Sequence, residues 1–139
     1  MYLFLLFISV LFFPPPASAQ NMDQRSVITV YDSNSFQKQS VFLSSEASAQ
    51  SLTMGNVDDG STAEIILGSA RGGSPWVSIF SSQGVLQEKF FAYDEKFHGG
   101  VNVAVCDLDN NGVIEILTGA AKDGGPHVRV FTSHGKPTV

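Results

Sequence analysis

The chain repeats itself at a fixed offset, and this limits its folds more than any local pattern does. Residues 52–84 lie over residues 103–135 at a shift of 51 without a gap. Eleven of the thirty-three pairs are identical: Asp58/Asp109, Glu64/Glu115, Ile65/Ile116, Gly68/Gly119, Ala70/Ala121, Gly73/Gly124, Pro75/Pro126, Val77/Val128, Phe80/Phe131, Ser82/Ser133 and Gly84/Gly135. Others are conservative, such as Ile66/Leu117, Arg71/Lys122 and Ile79/Val130. Register held across both turn and strand positions marks a structural unit and not a shared composition. Part of a third copy lies upstream, where residues 27–31 match 76–80 at a shift of 49 and Phe42 matches Phe91 at the same shift.

Within each copy the segments are short, alternating and rich in β-branched and aromatic residues, with turn formers between them. Val101, Val103 and Val105 alternate with Asn102, Ala104 and Cys106. No helical period is sustained beyond the first residues. Strands are predicted over 26–31, 39–43, 51–54, 64–69, 76–80, 86–93, 101–106, 114–119 and 127–131. Four strands in about fifty residues is the unit of a β-propeller blade. The expected fold is all-β, with about two and a half blades of four antiparallel strands: a partial blade over 26–50, a blade over 51–100 and a partial blade over 101–139. Regular strand spacing also permits a β-sandwich.

Residues 1–13 are uncharged and apolar, Pro14, Pro15 and Pro16 follow, and Ala17-Ser18-Ala19 precedes Gln20. This reads as a secretory signal peptide over 1–19, cut after Ala19. The apolar run is shorter than the roughly twenty residues that span a bilayer. The mature region, 20–139, is expected to be secreted, periplasmic or on the cell surface, with no membrane span after cleavage. A net charge of −5 and no basic stripe exclude a nucleic-acid partner. Cys106 is the only cysteine, so no internal disulfide can form. It is expected to be a small core residue.

The last full unit carries Asp107-Leu108-Asp109-Asn110-Asn111-Gly112-Val113-Ile114-Glu115 between two strands. Oxygen side chains stand at its positions one, three, five and nine. Calcium takes about six to eight oxygens at roughly 2.3–2.6 Å, and alternate residues of a tight loop can point at one centre. Gly112 permits the sharp bend. Asp107, Asp109 and Asn111, the Val113 carbonyl and Glu115 are therefore the candidate Ca2+ ligands. The pattern is not an EF-hand, because Thr118 occupies the twelfth position and the flanks are strands. The matching loop, 56–64, keeps Asn56, Asp58 and Glu64 but has Gly60 at position five. Weaker calcium binding, or none, is expected there.

These features together resemble the FG-GAP/VCBS repeat family, the calcium-loop blades of the integrin α-subunit propeller and of many exported bacterial proteins. The likeness runs from about Val27 to the end. It rests on Phe91-Ala92-Tyr93-Asp94 leading to Gly99-Gly100-Val101, on the 107–115 loop, and on Gly119-Ala120-Ala121 running to Gly125-Pro126-His127-Val128-Arg129-Val130-Phe131. The family often has Asp where this chain has Asn111 and Glu115. Propellers close with about four to eight blades, more than this chain holds. The expectation is a segment of a longer protein, or several copies closing a ring; open blade edges also invite self-association.

The function implied is a non-enzymatic calcium-binding module for adhesion, for binding a protein or glycan, or for scaffolding. The other class is an accessory propeller domain of an exported hydrolase or lyase. His98, His127 and His134 form no paired metal or nucleophile motif. The Gly72-Gly73 and Gly124-Gly125 stretches lack a following helix and the P-loop Lys-Ser/Thr, so they read as turns. Arg71 and Lys122 hold equivalent loop positions, where they can be solvated charges or meet an acidic ligand.

Overall fold

A computed structural model of the chain describes residues 8–9, 27–31, 37–42, 49–58 and 60–138. Apart from Ile8 and Ser9, the residues of the signal peptide expected over 1–19, and its expected cleavage site, lie outside the described residues. Among the described residues, ten strands form three antiparallel sheets, each built from strands consecutive in the chain. The first sheet contains β1 (Ile8–Ser9), β2 (Val27–Tyr31) and β3 (Gln37–Phe42). The second is a four-stranded meander of β4 (Ala49–Gly55), β5 (Glu64–Ser69), β6 (Trp76–Phe80) and β7 (Leu86–Phe91). The third contains β8 (Val101–Cys106), β9 (Glu115–Ala120) and β10 (Val128–Phe131). No helix occurs among the described residues.

The sheets stack in chain order, and the alternation of side chains decides how. Along β5, Ile65 and Leu67 point to one face and pack with Ile28, Val41 and Phe80. That cluster joins the first sheet to the second. Ile66 points to the other face and packs with Val77, Ile79, Val101, Ile116 and Phe131. This second cluster joins the second sheet to the third. The middle sheet is thus covered on both sides, which is why β5 carries an unbroken apolar run and no polar face. Fully burying one such aliphatic side chain contributes about 1.5–3 kcal/mol.

Polar contacts fix the offset between the second and third sheets. The Ser51 hydroxyl donates to the Val101 carbonyl at 3.0 Å and accepts the Val103 N–H at 2.8 Å. The connection between the two sheets is held as well. Arg129 donates to the Ala92 carbonyl at 2.7 Å, and the Tyr93 hydroxyl donates to the His127 carbonyl at 3.0 Å.

Cys106 is exposed, which corrects its assignment to the core. With Asn102 and Ala104 it lies on the face of β8 turned away from the second sheet, and all three are exposed.

Candidate metal centre

The acidic loop joins β8 to β9, where the chain must reverse between paired strands. Cys106 and Glu115 are partners at the end of the ladder, so the strands themselves bring the two ends of the loop together. Asn110 and Gly112 take left-handed backbone conformations, with φ of 59° and 87°. Gly112 does so without a Cβ penalty, and Asn is the residue that tolerates the region best after glycine.

Side chains of the loop fold inward onto its own amides. Asp107 accepts the Asn111 N–H at 3.0 Å and the Gly112 N–H at 2.9 Å, one on each oxygen. Asp109 accepts the Asn111 N–H at 3.2 Å and the Asn111 side-chain amide at 3.0 Å. The Asn111 oxygen accepts the Val113 N–H at 2.7 Å. Carboxylate oxygens of Asp107, Asp109 and Glu115 all lie within 4.8 Å of one another. The three acids make no ion pair with Lys or Arg among the described residues.

Three negative charges this close repel one another, and a hard cation among them removes the repulsion. Asp107, Asp109 and Glu115 supply the carboxylate oxygens such a cation prefers. Asn111 belongs to the same loop, but its side chain is engaged by Asp109 and Val113. Val113 stands exposed at the exit towards β9.

Glu115 has a structural role that the sequence pattern did not reveal. It is buried, and its Oε2 accepts the Leu108 N–H at 2.9 Å. Glu64, at the equivalent position, is buried too and accepts the Val57 N–H at 3.1 Å. In each repeat this glutamate clamps the amide seven residues earlier and closes the loop. Identity of Glu64 and Glu115 across the repeat was the available signal, but it fitted a metal ligand equally well.

In the 56–64 loop, Asp58 accepts the Gly60 N–H at 2.6 Å, and the Asn56 side-chain amide donates to the Gly60 carbonyl at 2.7 Å. Asn56 and Asp58 thus hold Gly60 and Glu64 holds Val57, and the loop differs from 107–115 in having neutral Asn56 for Asp107 and no side-chain oxygen at Gly60. Glu64→Ala should cost about 1–3 kcal/mol, because it strands a buried N–H. Glu64→Gln, which keeps an oxygen acceptor, should cost clearly less. Urea denaturation of both variants checks this, and equal losses would deny the clamp.

Comparison with protein-family models, with curated proteins and with solved structures finds no match to this chain.

Proposed function

We propose that this chain is a calcium-binding β-repeat module of propeller type, exported from the cell, that acts by presenting loops to a protein or glycan or as a scaffold. The observation that carries the reading is the convergence of Asp107, Asp109 and Glu115 in a loop whose place is set by the repeat. A cation held there ties the start of β9 to the end of β8 and stiffens the hairpin. Three sheets, each built from strands consecutive in the chain, also suit a blade array better than a sandwich, whose Greek-key connections exchange strands between two sheets.

Repeat-equivalent residues add support. Val57 and Val77 face the third sheet and are 3% and 0% exposed. Their mates Leu108 and Val128, on the outer face of the third sheet, are 55% and 69% exposed. Ile66 is buried and its mate Leu117 half-buried, while Val130 remains covered like its mate Ile79. The outer face therefore keeps the residues of a stacking face. A further sheet of the same kind is the occupant this reading assigns to it. Gly68 and Gly119 make the same point. A Cβ on Gly68 would run into the Val101 carbonyl, whereas one on Gly119 would meet nothing nearer than Asn102 Cβ at 3.9 Å.

Two experiments follow. Gly68→Ala should destabilise the chain by about 1–3 kcal/mol through overpacking. Gly119→Ala should stay within about 0.5 kcal/mol. Similar losses in thermal melts would count against an open third sheet. The functional reading itself is tested by calcium titration of the whole chain. Melting temperature should rise with calcium and saturate with a dissociation constant of about 10⁻⁴–10⁻³ M, the range of extracellular modules. No rise in millimolar calcium would remove the metal from the proposal.

A further inference from the structure

Asn111-Gly112 is the only Asn-Gly pair of the chain; the other asparagines precede Met, Ser, Val or Asn. An asparagine side chain is open to attack by the backbone nitrogen of the residue that follows it. A glycine there leaves that nitrogen unshielded, because it has no Cβ. The pair stands in the turn between β8 and β9, and both residues are exposed to water.

Three hydrogen bonds converge on the atoms of that reaction. Asn111 Oδ1 accepts the Val113 N–H at 2.7 Å, so the side chain is folded forward over the Gly112 peptide. The same donor is in place for the negative charge that the carbonyl oxygen gains under attack. The Gly112 N–H, which belongs to the nucleophile, donates to Asp107 Oδ2 at 2.9 Å. A carboxylate therefore already holds the proton that must leave. Asn111 Nδ2, the leaving group, donates to Asp109 Oδ2 at 3.0 Å, which fixes the amide with its oxygen towards Val113. Gly112 has a φ of 87°, and a Cβ built on it would meet nothing within 4 Å, so water reaches the pair. The equivalent loop lacks this arrangement. Gly60 stands at the place of Asn111, and Asn56 is followed by the β-branched, buried Val57.

We infer that this loop deamidates its own Asn111. In the first step the Gly112 nitrogen bonds to Asn111 Cγ while its proton passes to the Asp107 carboxylate. The Cγ–Nδ2 bond then breaks, the proton returns through solvent water to the departing nitrogen, and ammonia leaves behind a cyclic succinimide. In the second step water adds to an imide carbonyl and opens the ring. Opening at the side-chain carbonyl gives aspartate at position 111. Opening at the main-chain carbonyl gives isoaspartate, with an extra methylene in the main chain. Amide and water are consumed, carboxylate and ammonium are formed, and neither oxidant nor reductant takes part. Either product adds a negative charge beside Asp107, Asp109 and Glu115. The inference is independent of the calcium reading, since the reaction uses only the loop and solvent.

The test compares the full chain, folded in a calcium chelator at neutral pH, with the same chain unfolded in urea. Both samples are kept in water enriched in heavy oxygen, and mass spectrometry of their peptides follows each asparagine. Asn111 should convert with uptake of a single heavy oxygen, and faster in the folded chain than in urea. Asn56 and Asn102, each followed by valine, should convert far more slowly. A positioned proton acceptor contributes about 10²–10⁴-fold, so Asp107→Asn should slow the folded chain by at least about tenfold and leave the urea rate unchanged. Asn-Gly reactivity without help from the fold would make the folded chain no faster than the unfolded one, and that result would overturn the inference. So would a folded Asp107→Asn chain that converts as fast as the parent. The comparison of folded with unfolded parent needs no variant, so it decides the matter even if Asp107→Asn does not fold.

Discussion

Ile66→Ala is expected to destabilise the chain by about 2–5 kcal/mol, while the same change at its repeat mate Leu117 costs under about 1 kcal/mol. The two residues sit at the same point of the same strand pattern, one in β5 and one in β9. The difference is what covers them. Ile66 is fully buried against Val101, Ile116 and Phe131 of the next sheet, so truncation leaves a cavity that paired strands cannot collapse. Leu117 lies on the outer face of the third sheet and is only partly buried. Denaturation of both variants, at a protein concentration where the chain is monomeric, reads the contrast directly. Equal and large losses would mean that the outer face is covered in solution, and the description of the third sheet as open on that side would be wrong.

This contrast also bears on what the sequence could and could not convey. Strand positions were legible because alternation and β-branching act locally: 64–69, 76–80 and 101–106 were predicted with the bounds of β5, β6 and β8. The end of β7 was overrun, since Phe91 closes the strand and the Ala92 N–H turns to the Pro75 carbonyl. The short β1 was not foreseen, because Ile8 and Ser9 lie in an apolar run that alternates with nothing. Burial was less legible than strand position. The repeat makes equivalent residues look alike, but burial depends on whether another sheet follows. Cys106 shows this: its mate Gly55 is approached by Val105 of the next sheet, while Cys106 meets solvent.

The acidic loop shows the same division. Spacing brought Asp107, Asp109 and Glu115 into one set, and the three do converge. What the string of residues could not convey was competition for the same oxygens. Asn111 offers an oxygen at a ligand position, yet that oxygen takes the Val113 N–H. Glu115 takes the Leu108 N–H. Both bonds depend on where the backbone amides point, which is fixed by the left-handed turn at Asn110 and Gly112 and not by side-chain type.

Asp109→Asn is expected to change stability little in chelator, or to raise it slightly, and to lower it sharply in calcium. The substitution keeps an oxygen that can accept the Asn111 N–H, so the turn survives. It also removes one of three crowded negative charges, which relieves repulsion in the metal-free loop. With calcium at about one hundred times the parent's dissociation constant, binding adds about 2.7 kcal/mol to the parent. The variant offers a neutral ligand in place of a central anion and should lose most of that increment. Asp58→Asn, in the loop that has neutral Asn56 for Asp107 and Gly60 for Asn111, should leave the increment intact. The deciding measurement is the calcium-dependent shift in unfolding free energy for the parent and both variants. A purely structural turn makes no such distinction: Asp109→Asn would then behave the same with and without calcium, and the metal assignment would be withdrawn.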